Sequence, residues 1–337
     1  MAKIIYISEQ SIGEAWLSSL TEVLCEGDDI KTEYDKLDTP PSKDATVLIE
    51  VKKPMSKPIK RKDKIIKIKS KFGNSYEVYG VMADTFLIGS IQSGYIEEIM
   101  EGVHDHYLWD SSKSFPYSYH DRIYNYAAFS LEDSEKKDYV VNLIDKNKVK
   151  SQEKLKFAKK VITSRETEIW KLPNGLELDL SKEISEQIGI NNIILSVLDL
   201  PRINQIDYII KKLKDKPYTR RAQATTWRPY IDPYSEDPPC LQRLFFRIKN
   251  DELLLQTCWR SRDLFRAWEA NVNGMVRIQK YIADELNVGM GHYLDFSNSL
   301  HIYGDTVKDL IDIFKIMENR NELQPKIIKK LKEYNYL

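Results

Sequence analysis

The chain has 337 residues, 42% of them hydrophobic, enough for a sizeable core in one large domain or two small ones. Its 51 basic and 51 acidic residues cancel, which argues against a protein that coats a polyanion but leaves room for a local basic site. The polar opening MAKIIYISEQ predicts no signal peptide and no apolar run approaches the ~20 residues of a membrane helix, so a cytoplasmic protein is expected.

Residues 3–7, KIIYI, predict a short strand. Ser11 and Glu14 make a capping-box pattern. The helix it opens repeats Ile12, Trp16, Leu20 and Leu24 on one face, with Gly27 as its stop. Residues 28–44, polar and holding Pro40-Pro41, read as loop, and 45–51, ATVLIEV, as strand. Residues 52–71 hold ten Lys or Arg against one Asp. They read as a nucleic-acid patch or as a solvated loop plus the strand IIKIKSK, and the lack of interleaved aromatics favours the second. A helix is expected to start near Gln92. Residues 131–165, rich in lysine and acids, look like an insertion or mobile segment, and short strands alternate with turns over 166–200. Helices are expected at 204–216, 263–287, 305–319 and 324–334, and strands at 221–228, 241–249 and 252–260.

The densest chemistry lies in Thr219–Asp305. Three cysteines, Cys25, Cys240 and Cys258, form neither a CxxC pair nor a zinc spacing, which suits a reducing compartment and implies no metal site. Cys240 follows two prolines and sits among TRRAQATTWRP, DPPC and WRSRD. A packed core has little use for a cysteine in that setting, whereas a thiolate nucleophile is favoured by the nearby positive charge. Arg220, Arg221 and Arg260 could grip a phosphate in bidentate forks. LQRLFFRI and ELLLQTCWR flank the polar turn KNDE, a hairpin pattern. The two ends of a hairpin lie side by side, so the spacing alone sets Cys240 beside Arg260, Ser261 and Asp263.

Arg-Arg, Trp, Pro-Pro-Cys, Arg-Ser-x-Asp, a lone Asn271 and His-x-Tyr stand in an order and spacing that resembles the thymidylate synthase family. The likeness is strong over 203–305, including the helix IDYIIKKLKDKPYTRR, and weak before residue 95. It implies an α+β fold: one domain over 1–337 with a large mixed sheet, helices on one face, and a homodimer packed sheet to sheet. It implies reductive methylation of dUMP to thymidylate, with a methylene-carrying reduced pterin, 5,10-methylene-tetrahydrofolate or a methanopterin analogue, as co-substrate. Cys240 would add to C6 of the uracil and turn C5 into the nucleophile. Arg260 and Ser261 would hold the 5′-phosphate, and Arg220 and Arg221 would reach in from the partner subunit. Asp263 would contact the pterin and help fix the base, and at a helix start it reads also as an N-cap. Asn271 would read the uracil edge, since an amide donates and accepts at once. His301 and Tyr303, at i and i+2 on an extended chain, share a face and would hold the 3′-hydroxyl. Tyr119 would help move the C5 proton, and the general-base carboxylate would be Glu97 or Glu98.

The chain also departs from the bacterial pattern. Leu241 stands where a His follows the cysteine, Trp259 where a Gln precedes Arg-Ser, and RAWEA where Leu-Gly-x-Pro-Phe is usual. FSNSLHIY replaces Gly-Asp-x-His, with Asn298 or Ser299 in the acid's place, and EYNYL is not the usual tail. These features resemble a divergent archaeal branch. Trp259 and Trp268 are expected to wall the site, and Lys69 and Lys71 to offer phosphate or cofactor-tail contacts. A pyrimidine-nucleotide hydroxymethylase on the same scaffold would share every step until water, not hydride, adds. A non-catalytic nucleotide- or RNA-binding homologue is a third reading, against which Cys240 and Arg260 together speak.

Overall fold

The computed structural model describes residues 4–32, 39–56, 64–69, 73–80, 95–103, 105, 117–126, 159–163, 167–171, 177–181, 203–229 and 232–337. In chain order the first elements are β1 (Ile4–Glu9), α1 (Ile12–Glu26), β2 (Asp28–Ile30), β3 (Ser42–Val51), β4 (Lys64–Lys69), β5 (Ser75–Gly80), α2 (Tyr95–Glu101) and α3 (Tyr119–Tyr124). Next come β6 (Lys159–Thr163), β7 (Thr167–Lys171), β8 (Glu177–Ser181), α4 (Gln205–Asp215), β9 (Gln223–Thr225), β10 (Leu241–Lys249), β11 (Glu252–Trp259) and β12 (Arg262–Asp263). The last are α5 (Trp268–Leu286), β13 (Gly289–Ile302), α6 (Val307–Asn319) and α7 (Pro325–Glu333). Two compact units result, one of residues 1–125, 204–227 and 237–337, the other of 126–203 and 228–236.

The first unit is built on an eight-stranded mixed sheet in the order β1-β3-β13-β11-β10-β9, with β12 on β13 and β2 on β3. β1–β3 and β11–β13 are parallel; β3–β13 and β10–β11 are antiparallel. Period-2 alternation sorts its faces. Val47, Ile49, Leu244, Phe246, Leu253 and Leu255 are fully buried, while Tyr6, Leu48 and Phe296 are exposed in the opposite phase. α1 and α5 cover the buried side. The Ser11–Glu14 capping box forms as expected, and Gly27 ends α1. Gln279 of α5 donates to Leu253 O at 2.8 Å and Gly291 O at 3.1 Å, stitching the helix to the register shift between β11 and β13.

Several boundaries differ from the sequence expectation. Residues 28–30 form a strand inside the expected loop, β9 is shorter than 221–228, and α5 begins at Trp268 and not at 263. The fourteen-residue β13 was not predicted. Its inward face carries Asp295 and Ser297, so the hydrophobic alternation that marks a half-buried strand is absent. The expected helix start at Gln92 lies outside the described residues; the helix is seen from Tyr95.

The second unit contains a three-stranded antiparallel sheet, β6-β7-β8. Of the expected insertion at 131–165, only 159–163 is described. Among the described residues no helix is long and apolar enough to cross a membrane.

Candidate active site

The β10–β11 hairpin closes through Asn250 and Asp251, whose φ values of 52° and 58° are those of a two-residue type I′ turn. Leu241 pairs with Trp259, and the Arg260 N–H donates to the Cys240 carbonyl at 2.8 Å. Arg260 then folds back over the Pro-Pro-Cys turn. Its Nη2 donates to Pro238 O at 2.7 Å and its Nε to Pro239 O at 3.2 Å. A guanidinium has five N–H donors, so these two fix its plane and leave the others available. Cys240, Arg260 and Ser261 are all half-buried.

Charge and burial compete at the thiol. Burial pushes Cys240 up, Arg260 and Arg262 pull it down, Asp237 adds to the rise, and the net direction is upward. The positive charge expected from the sequence is present, but desolvation outweighs it.

Tyr119 reaches this turn. Its hydroxyl accepts the Leu241 N–H at 3.2 Å, and its ring meets Trp259 edge-on at 6.0 Å and Tyr117 at 5.3 Å. Burial holds its phenol well above 10.0, so it is a neutral group. Ser118 caps α3 through the Asp121 N–H. Arg122, 3% exposed, donates to Thr226 O at 2.8 Å, and Gln205 bridges Arg122 O and Thr225 O, both at 2.9 Å. These bonds tie α3 to the β9 edge of the sheet. Gly102 sits at φ 63°, where L side chains are strained, and a Cβ there would lie 2.3 Å from His120 Nδ1, so that ring would have to shift. His120 in turn bonds Asp105 at 2.7 Å.

The two candidate carboxylates part company on α2. Ile96 and Ile99 face the core. Glu97 shares a side with Glu101, which binds Tyr76 and Asn74 of the β5 edge, both at 2.6 Å. Its charge bears on Tyr76, and its Oε2 is buried without a hydrogen bond among the described residues. Glu98 lies one turn from Tyr95 and its charge bears on that phenol. The Tyr95 hydroxyl accepts a hydrogen bond from the Asn271 side-chain nitrogen. Asn271, 8% exposed on α5, is thereby joined to the Glu98 side of α2.

Asp263 pairs in register with His301. Its Oδ1 accepts the Arg266 N–H at 2.8 Å, and the turn it starts closes with Ala267 N–H on Asp263 O at 3.2 Å. The N-cap of α5 is Ala267; Asp263 caps the preceding turn and not the helix. Burial raises its carboxyl above the usual range. The His301 and Tyr303 rings lie 4.6 Å apart, as their i, i+2 spacing requires. Ser299, one of the two residues expected in the place of the family's acid, donates to Asp44 Oδ1 at 2.5 Å and lies 3.5 Å from His301 Nδ1. Asp44 of β3 is the register partner of His301, so a neighbouring strand brings a carboxylate to this corner. Trp16 of α1 holds this corner, donating to Leu264 O at 2.9 Å.

Sequence reasoning passed over Arg262. It is 3% exposed, ion-paired with Asp295 and bonded to Ser297 Oγ at 3.0 Å. Its guanidinium carbon lies 4.2 Å from the Trp259 ring centroid and 5.9 Å from that of Trp268. Asp295 also accepts from Tyr293 OH at 2.6 Å; Tyr293 meets Thr257 at 2.8 Å, and Trp259 Nε1 donates to Thr257 at 3.0 Å. Trp259 and Trp268 are 1% and 0% exposed, so they form buried support where walls were expected. The second Arg of WRSRD gave no hint of its inward turn, and the polar strand that receives it was itself unpredicted.

Arg220 and Arg221 lie exposed between α4 and β9, and neither guanidinium has a partner among the described residues of its own chain. Lys69 is exposed; Lys71 lies outside the described residues.

The thymidylate synthase family model matches residues 149–335, more than half of the chain. Methanocaldococcus jannaschii has a relative named "Putative thymidylate synthase", 43% identical over 115 residues, 33% of this chain and 52% of that one. One of the same name in Methanothermobacter marburgensis is 34% identical over 113 residues, 34% of this chain and 51% of that one. The chain spans about half the length of the curated relatives it matches. A crystal structure of thymidylate synthase from T4 phage matches 33% of this chain and 39% of its own at 28% identity and TM-score 0.31, a likeness too partial to bear on the fold. The order of the site motifs and the family match agree: this chain belongs to the thymidylate synthase family, in its divergent archaeal branch.

Proposed function

We propose that the protein methylates dUMP to dTMP, with Cys240 as the nucleophile. The observation that carries this reading is the closed unit of Cys240 and Arg260. The Arg260 backbone holds the Cys240 carbonyl, and its guanidinium clasps the two proline carbonyls before the thiol. A cation with donors to spare among the described residues is thus fixed beside a half-buried sulfur, which suits a phosphate-bearing substrate whose base lies over the thiol. Arg260 and Ser261 bind the 5′-phosphate, and His301 with Tyr303 holds the 3′-hydroxyl. Asn271 reads the uracil edge. Cys240 forms a bond to C6, the electron pair moves to C5 and O4, and C5 becomes the carbon nucleophile.

The reduced pterin supplies the one-carbon unit and the hydride. Its aminopyrimidine edge presents N–H donors, and the half-buried Asp263 carboxyl is an acceptor that fits them. Between the two helix carboxylates, Glu98 is the general base for proton traffic at the pyrimidine, because it shares a helix side with Tyr95, which binds Asn271. Glu97 faces the Tyr76 side. Tyr119, neutral and beside the Cys240–Leu241 peptide, assists in moving the C5 proton. Arg220 and Arg221, exposed and with no guanidinium partner among the described residues of their own chain, complete the phosphate site of a second copy. The exposed sheet face with Tyr6, Leu48 and Phe296 forms the homodimer contact.

The test uses dUMP tritiated at C5, with methylene-tetrahydrofolate and with methylene-tetrahydromethanopterin in parallel. Tritium release with thymidylate formed is the expected result and names the pterin. A hydroxymethyl nucleotide would instead make the protein a hydroxymethylase. Binding of dUMP with no release from either pterin would favour a non-catalytic nucleotide-binding protein.

A further inference from the structure

An amide that reads a pyrimidine has an ambiguity built into it. Turned one way, Asn271 would offer its oxygen to the base's N3 and its N–H to the 4-position, which matches uracil. Rotated by half a turn about its last torsion, it would offer N–H to N3 and oxygen to the 4-amino group, which matches cytosine. An Asn alone therefore does not separate the two bases; something must stop the rotation.

Tyr95 stands where such a stop is needed. Among the described residues, the Asn271 side chain has one hydrogen-bond partner, the Tyr95 hydroxyl, which accepts from the amide nitrogen. A hydroxyl can donate as well as accept, so the stop works in one direction only if its own hydrogen is drawn elsewhere. Glu98, three residues on along α2, places a negative charge near the phenol and keeps it protonated, with burial as the larger cause. A phenol hydrogen turned toward that carboxylate would leave the oxygen lone pair for the amide, whose nitrogen donates to it. Asn271 is itself anchored, its backbone N–H on Ala267 O at 3.0 Å in the first turn of α5.

We propose that Tyr95 is the positioning residue that fixes the orientation of the Asn271 amide and so sets the choice of uracil over cytosine. The inference rests on the reading of the site as one that binds dUMP.

The test compares binding and tritium release for dUMP and dCMP in the wild type, Tyr95→Phe, Asn271→Ala and the double variant. Tyr95→Phe keeps the ring and removes the hydroxyl. The expected result is a fall of tenfold or more in the dUMP:dCMP preference, through gain of dCMP binding as well as loss of dUMP. In the Asn271→Ala background the same change should leave the preference where it was. Unchanged preference in a Tyr95→Phe protein of wild-type melting temperature would overturn the proposal, as would additive effects in the double variant. A wild type that binds neither nucleotide would instead overturn the dUMP reading, and this one with it.

Discussion

Arg260 and Arg262 are two residues apart and meet opposite fates. Arg260 is half-buried, gives two donors to backbone carbonyls and has no carboxylate partner among the described residues. Arg262 is 3% exposed and ion-paired with an equally buried Asp295 beside two tryptophans. A chain that stayed extended would give i and i+2 the same surroundings. Here the strand bends at Arg260 and resumes only at Arg262, so the alternation is reset. One guanidinium is kept for a ligand and the other serves as a strut. Similar residues close in sequence thus divide into reacting surface and support.

This division orders the expected effects of substitution. Cys240→Ala should abolish tritium release while leaving dUMP binding largely intact; a variant that still turns over would remove Cys240 as the nucleophile. Next comes Arg262→Ala. It strands a buried carboxylate, and breaking such a pair costs about 3–5 kcal/mol, readable as a lower denaturation midpoint in urea. The double change Arg262→Gln with Asp295→Asn removes both charges and should recover much of that loss. If Arg262→Ala were neutral for stability, the strut would be a second ligand-facing cation.

The same division explains what could be read from the sequence. The hairpin was visible because its strands alternate and its turn is polar, and it alone placed Cys240 beside Arg260. The capping box of α1 was visible for a similarly local reason. β13 was not, because Asp295 and Ser297 occupy its inward positions, where apolar residues are expected. Whatever depends on β13 was hidden with it: the Arg262–Asp295 pair, and the Asp44 carboxylate that meets Ser299. The choice between Glu97 and Glu98 was hidden too, since neighbouring helix positions separate only once Tyr76 and Tyr95 are placed around them.

Two smaller effects probe the rim itself. Asn271→Asp should move preference toward the cytosine nucleotide by about tenfold or more, measured by competition between dUMP and dCMP; unchanged preference would take Asn271 out of base reading. Iodoacetamide labelling of Cys240 followed against pH should have its midpoint above that of an ordinary cysteine. Burial raises this thiol despite two arginines, so the thiolate fraction at neutral pH is reduced. A midpoint below the ordinary value would mean that the guanidiniums win over desolvation, and would return Cys240 to the activated thiol first expected from its neighbours.

The smallest effect is a control on the scaffold. Ser11 caps α1 by accepting the Glu14 N–H at 3.2 Å, and the Glu14 carboxylate answers on the Ser11 N–H at 3.2 Å. Ser11→Ala removes half of this box and should cost about 1 kcal/mol, seen as a modest drop in melting temperature. α1 reaches the Leu264 corner through Trp16, one turn further on, whose indole donates to Leu264 O. If the cap only stabilises the helix, tritium release by the folded variant should match the wild type, and pH dependence should be unmoved. A loss of turnover larger than the loss of stability would mean that the first turn of α1 sets the Leu264 corner, making the Asp263–His301 pairing sensitive to a helix end that the local sequence had already announced.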